Sequence, residues 1–448
     1  MSSTLRTLWL LPLLFSPASV GAQDASQPAR LLRGHDFEGL PASGAAQAVY
    51  AKDPAHPLNQ LHALLFLAEL APDEVGAALP TERKTSGVDA EHFFVGKWPI
   101  AQRKGTPADR RWFGGDVRTS PLVALDPARD ARLVELCARF DTREEVAQVS
   151  ELASPLAKLL LQWDALQVLV RMDRKDFGSA DARRALHRVV MALAQPRAAL
   201  EALPSGLADL HAQVPTGSAE DRRAPFLDRE LLQDAAGPWV EVQRRSTALF
   251  DAKNSLRSAR AFLRTGKRED ALAFVAAVRA AKSDAELPKL ARGAEVALVL
   301  TLVGVDTEGR AVATPVIDEV RLRALAGAEE LSAANDTSSR DGWNHWVFAR
   351  TRRGSLVAGD EGAFRFVPDT AQSLFLEYGT AKHATYAAQC ALCHRATNGG
   401  GQAPSGVRML SRFAEPEAIT QARTRLDQAE REVAPVLVAL AERYGAAR

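Results

Sequence analysis

The sequence predicts an α+β protein, and three patterns lead to that class. Apolar residues recur at helical spacing through much of 121–293, short β-branched and aromatic runs separated by turn residues fill 294–378, and a long helical stripe closes 379–448. The expected architecture is a largely helical N-terminal and middle part, an antiparallel β-rich segment, and an all-α C-terminal segment. A chain of 448 residues has room for about two to three domains and buries a substantial core.

Residues 1–22 read as an export signal. Arg6 supplies the positive charge, Leu8–Phe15 is a short apolar run, and Val20-Gly21-Ala22 places cleavage after Ala22. The apolar run is shorter than the about 20 residues of a membrane-spanning helix, and no other long apolar stretch follows it. The expectation is an exported, periplasmic protein with no transmembrane span once the signal is removed. A retained anchor is the alternative.

Residues 23–120 read as mixed and loop-rich, with one helical pattern at Leu58–Leu70. Two aromatic-basic clusters follow, His92-Phe93-Phe94 with Lys97-Trp98, and Arg110-Arg111-Trp112-Phe113. They fit either a docking surface built on cation–π contacts or an irregular core whose cationic stems cover the rings.

The helical region, 121–293, contains Thr142-Arg143-Glu144-Glu145, a capping-box pattern that opens the apolar-periodic stretch Val146–Met172. Further helices are expected at Asp181–Leu193, Trp239–Leu263 and Glu269–Ala281, with an exposed connection from Leu203 to Pro225. Cys137, in Leu133-Val134-Glu135-Leu136-Cys137-Ala138, reads as a buried thiol on a helix face. Neither a phosphate-binding glycine loop, a His-Glu-x-x-His helix nor a Gly-x-Ser-x-Gly elbow occurs.

From Glu295 the pattern changes. Val296–Val303 and Ala311–Ile317 flank the turn Asp306-Thr307-Glu308-Gly309 and predict a hairpin. Glu319–Leu325, Trp343–Arg350, Leu356–Ala358, Phe364–Val367 and Leu374–Tyr378 are further strand candidates, which suggests an antiparallel sheet or small sandwich. Lys+Arg 56 against Asp+Glu 55 argues against nucleic acid as a partner, since such proteins carry a basic excess or patch.

The chemistry is concentrated in Cys390-Ala391-Leu392-Cys393-His394. A Cys-x-x-Cys-His run reads as an attachment site for c-type haem. The two thiols add across the porphyrin vinyls and the adjoining imidazole reaches the iron, giving one covalent haem c per chain. Such attachment takes place outside the bacterial cytoplasmic membrane, so the export signal and the motif support one another.

Around the motif, residues 379–448 resemble a class I cytochrome c domain. Tyr386 stands four positions before Cys390, where the family has an aromatic residue. Lys382 stands one turn earlier, where the family has glycine. Asn398–Pro404 forms a glycine-rich loop, and Pro404 resembles the family's proline whose carbonyl orients the proximal imidazole. Ile419, Leu426, Val433 and Leu440, with Ala422, Ala429 and Val436 between them, make one apolar stripe, and Pro435 should kink or divide its helix. The resemblance implies a cytochrome c-like all-α haem domain in which Tyr444 packs on Tyr386 where two helices cross.

Two metal positions follow, His394 as the proximal ligand and Met409 as the candidate sixth ligand, although the family's methionine usually lies much further downstream. His383 is a poor alternative. On an unbroken helix its eleven-residue separation from His394 is about 16 Å, whereas two nitrogens bracketing one iron are about 4 Å apart. His345 could reach the haem from the β-rich part, and an open or water-occupied position is the remaining case.

The functional expectation is an exported mono-haem c-type cytochrome that carries single electrons to or from an unidentified redox partner protein. The alternative is a haem enzyme or ligand-binding protein whose open distal site acts on peroxide or small gases. A di-haem peroxidase needs a second attachment motif that the chain lacks. A zinc site lacks a fourth ligand at suitable spacing, and a thiol–disulfide oxidoreductase calls for a βαβ setting.

Overall fold

The computed structural model describes residues 46–70, 111–113, 125–213, 227–232, 236–244, 252–282, 286, 288, 293–325, 343–357, 362–366, 375–378, 381–384, 413–416 and 422–445. It is an α+β protein with a seven-stranded antiparallel sheet and a layer of helices. The first helices are α1 (Pro57–Phe66), α2 (Pro127–Cys137), α3 (Arg143–Gln148), α4 (Pro155–Lys175), α5 (Ala180–Ala192), α6 (Arg197–Glu201) and α7 (Leu207–Gln213), with a two-stranded pair of β1 (Ala68–Leu70) and β2 (Arg111–Phe113).

Local chemistry accounts for their boundaries. Thr142 and Glu145 cap one another at α3, as the capping-box pattern requires. The expected single stretch Val146–Met172 is nevertheless divided. Ser154 caps a new start and Pro155 occupies the first helical position, where its missing N–H costs nothing. Helix α4 is buried nearly all round, from Ala157 to Met172, and ends at Asp176 in the left-handed conformation, φ 49°.

The sheet order is β11-β3-β4-β5-β6-β7-β8, formed by β3 (Val240–Arg244), β4 (Arg257–Arg264), β5 (Glu295–Val305), β6 (Ala311–Leu325), β7 (Trp343–Arg350), β8 (Phe364–Phe366) and β11 (Phe413–Pro416). A separate hairpin pairs β9 (Phe375–Tyr378) with β10 (Ala381–Ala384). Helix α8 (Ala252–Ser255) precedes β4 and helix α9 (Arg268–Ala280) follows it. The β5–β6 hairpin turns where the sequence expects it. Asp306 accepts from the Glu308 and Arg310 amides at 3.0 and 2.8 Å, and Gly309 sits at φ 77°.

Several expectations are corrected. The helix expected at Trp239–Leu263 is replaced by β3, α8 and β4, so the sheet starts well before residue 294. Strand β4 pairs with β5 over the whole run Arg257–Arg264, and its two faces enter different cores, Phe262 on one side, Ala261 and Leu263 on the other. Burial on both faces removes the alternation that marks a strand. Leu356 ends a short helix, Arg352–Leu356, instead of starting a strand, because Thr351 caps that turn by accepting from the Gly354 amide. The Ala311–Ile317 and Glu319–Leu325 candidates are one strand with irregular register against β5. The α1 helix stops at Phe66, and Ala68–Leu70 is extended.

The region 379–448 is not all-α, since β10 and β11 lie within it. Its long helix, Ala422–Tyr444, runs through Pro435 without dividing. The largest apolar core joins α1–α6 to the β5–β6 turn end (Val303, Val305, Val312, Val316) and to Val433 and Leu440 of that C-terminal helix. A second core contains Trp239, Phe262, Val320, Trp346 and Phe348. Among the described residues no helix is long and apolar enough to cross a membrane.

Candidate functional site

The residues expected to serve haem, Tyr386, Cys390, Cys393, His394, Pro404 and Met409, lie outside the described residues, as does the expected export signal, residues 1–22. The elements on either side of them are described. Upstream is the β9–β10 hairpin, in which His383 pairs with Leu376 on extended backbone and not on a helix. His345 occupies β7 opposite Arg323. Downstream, β11 hydrogen-bonds to β3 with Phe413 opposite Arg244 and Pro416 opposite Val242.

The C-terminal helix follows, and its stripe faces the protein's main core. Ala429, Val433, Leu437 and Leu440 are 4%, 0%, 6% and 2% exposed. Glu430 accepts from both Arg197 Nη2 (2.7 and 2.8 Å) and the Ala313 amide (2.9 Å). Tyr444 donates to Asp173 Oδ1 of α4 at 2.7 Å, and Arg443 Nη1 reaches both Asp173 oxygens at 2.6 Å. Tyr444 therefore packs on the helical layer.

The densest described electrostatic feature is a buried ionic centre between α4 and the sheet. Arg352 makes a two-pronged contact with Asp164, Nη2 to Oδ1 at 2.8 Å and Nε to Oδ2 at 3.0 Å, and its Nη1 reaches Asp318 Oδ1 at 3.1 Å. Arg257 contacts Asp318 and, at 3.4 Å, Glu319, which Arg321 also binds. Tyr50 donates to Asp164. The ring of Trp163 lies 4.8 Å from the Arg257 guanidinium and 5.6 Å from that of Arg352.

Each member is set by its own element. Asn59 on α1 accepts from the Val49, Tyr50 and Ala51 amides and fixes the loop that carries Tyr50. Thr351 caps the turn that presents Arg352. Burial alone would lower the Arg352 pKa, yet Asp164 and Asp318 together hold it well above the ordinary value. Burial pushes the Glu319 carboxyl up, but Arg321 and Arg257 outweigh that and leave it lowered. Burial and the Asp164 charge hold the Tyr50 phenol well above its usual range, so it is a neutral donor.

Nearby, Arg350 is pulled down to about 10 by burial. It donates to the Ile317 and Ser205 carbonyls at 2.7 and 3.1 Å and lies 4.4 Å over Phe364. Chemically the centre holds loop, helix and strands in one arrangement. Among the described residues no group of three or more His, Cys, Asp or Glu side chains could hold a metal ion. Cys137 is fully buried, which pushes its thiol up to about 12 and makes it a poor nucleophile.

Sequence reasoning missed this centre. One signal was present, since Asp164 interrupts the apolar run Leu159–Val170 and a charge there needs a partner. The partner, 188 residues away, carries no such mark. No family model matches the chain, and no curated protein or solved structure matches it.

Proposed function

We propose that the chain is an exported c-type cytochrome that binds one haem covalently and carries single electrons. The pentapeptide Cys390–His394 supports this reading. Each thiol would add its S–H across one vinyl double bond, forming a thioether with no oxidant needed. His394 would ligate the iron, the Pro404 carbonyl would orient that imidazole, and Tyr386 would pack in the haem segment, as in the cytochromes c the segment resembles. The haem supplies a reversible one-electron iron couple when bound.

The segment Leu8–Ala22 supports export. A second reading is a haem protein with an open sixth position acting on peroxide or a diatomic gas. It is favoured by the place of Met409, fifteen residues beyond His394, much nearer than the distal methionine of the family.

Optical spectra of protein produced with haem-maturation machinery test both. Covalent haem that survives acid–acetone extraction and titrates reversibly is expected, and C390A/C393A should abolish it. Colour that extracts completely refutes the proposal. Carbon monoxide that leaves the reduced spectrum unmoved selects electron transfer, and a shifted spectrum selects the open site.

A further inference from the structure

Helix α7 and the segment 227–232 lie together in the second core, which takes Leu210 from the helix and Leu227 and Leu231 from the segment. A polar contact joins the two. His211 of α7 is 8% exposed, and its Nε2 stands 3.2 Å from the Leu231 carbonyl oxygen. A carbonyl only accepts, so Nε2 carries the proton and Nδ1 is the bare nitrogen of a neutral ring. Among the described residues that Nδ1 is buried with no hydrogen-bond partner. A second proton would go there and leave a charged N–H in the core with nothing to accept it.

The surrounding charges do not relieve this. Burial lowers the His211 pKa from the ordinary 6.5, and of the two charged side chains that act on the ring Asp228 opposes that shift while Arg229 adds to it. The Asp228 carboxylate is already engaged by Trp239 Nε1 at 3.0 Å, Arg264 Nη1 at 2.7 Å and the Glu230 amide at 2.9 Å. On α7 itself Asp209 acts on Arg350. Strand β8 meets the helix through the Phe364 amide, which donates to Gln213 Oε1 at 2.7 Å, and Arg365 belongs to the other face of that strand. The core residues Val320, Trp346 and Phe348 carry no charge. The segment is also under strain, since Leu232 sits at φ 68°, where leucine is rarely found. Its shape therefore depends on what grips it.

We propose that His211 is an acid-released clasp, whose neutral ring pins the segment 227–232 to α7 and whose protonation at Nδ1 frees the segment and uncovers Leu227 and Leu231. The charged ring reaches water only by swinging out of the core, which gives up the Leu231 carbonyl. The sign follows from the lowered pKa. Such a histidine contributes its stabilisation in full above the unfolded value and loses it as pH falls to the folded one.

Amide hydrogen exchange of the full chain tests this, read as protection factors so that the intrinsic pH dependence of exchange divides out. From about pH 7.5 to about pH 5.5, protection in 207–213 and 227–232 should fall by up to about tenfold per unit, the limit for one proton, while α4 and β5 keep theirs. His211→Gln retains a donor for the Leu231 carbonyl and cannot titrate, so its protection should stay flat. Constant protection in the parent protein, or a Gln variant that loses protection as the parent does, overturns the proposal. If that variant does not fold, C2–H exchange of the His211 ring in the parent chain decides, measured on peptides within 201–215, which hold no other histidine. A ring midpoint below 6.5 is expected, and one at or above 6.5 overturns the clasp.

Discussion

The ionic centre at Arg352 and the seam under the C-terminal helix both use arginine–carboxylate contacts, yet they differ in how much water each charge keeps. At the centre the Arg352 and Asp164 side chains are each 1% exposed and Asp318 is 5% exposed. At the seam the Arg443 side chain is 57% exposed, and the buried material is aliphatic. Charges stripped of water depend on every partner being present, because an orphaned one keeps the desolvation penalty and loses the attraction. Charges that stay hydrated contribute little beyond their packing. The centre therefore fixes which arrangement the elements adopt, and the seam holds by apolar burial.

The largest expected effect tests the first half of that contrast. Arg352→Met leaves Asp164 without its two-pronged partner inside the core and should cost about 3–5 kcal/mol in denaturant unfolding. Adding Asp164→Leu should recover part of the loss, since it removes the stranded charge. If the double variant is no more stable than the single one, the centre acts through packing and not through paired charge. Next in size is Leu437→Ala in the seam, expected to cost about 2–3 kcal/mol from lost burial and the cavity left behind. A change below about 0.5 kcal/mol would show that the helix is not held by this stripe.

The pH dependence sharpens the contrast further. The Glu319 carboxyl is lowered because Arg321 and Arg257 outweigh its burial. Its folded value thus lies under the ordinary glutamate value of about 4.3. A depressed acid contributes its stabilisation fully above the unfolded value and loses it as pH falls through the folded one. Unfolding free energy measured from pH 6 downward should therefore decline below about pH 4.3, and Glu319→Gln should flatten that decline. A variant whose decline matches the parent protein would remove Glu319 from the account. Because the group is buried, added salt should change this slope little.

Legibility in the sequence follows the same division between local and distant. The Thr142–Glu145 cap, the Asp306–Gly309 turn and the strand Trp343–Arg350 are each decided within a few residues, and each stands where the sequence implies. Within residues 239–263, β4 (Arg-Ser-Ala-Arg-Ala-Phe-Leu-Arg) mixes polar and apolar residues on both of its faces without clean alternation, and only its pairing with β5 makes it a strand. The apolar stripe Ile419–Leu440 is legible as a stripe, but nothing local says which core its described part, from Leu426 on, enters. The same holds for the ionic centre, whose members extend from Tyr50 to Arg352. The pentapeptide Cys390–His394 is the opposite case, since the haem attachment proposed for it rests on five consecutive residues and on no fold.

The smallest expected effect separates the seam's rim from its stripe. Arg443 reaches both oxygens of Asp173, which resembles the Arg352–Asp164 contact in geometry. Arg443 stays in solvent, however, and Tyr444 also donates to the same carboxylate, so Asp173 keeps a partner when Arg443 is removed. Arg443→Ala should leave the unfolding midpoint within experimental scatter, while Leu437→Ala in the same helix shifts it clearly. Equal losses for the two variants would mean that the C-terminal helix is held by its ion pair, and the seam would then belong with the centre and not opposite it.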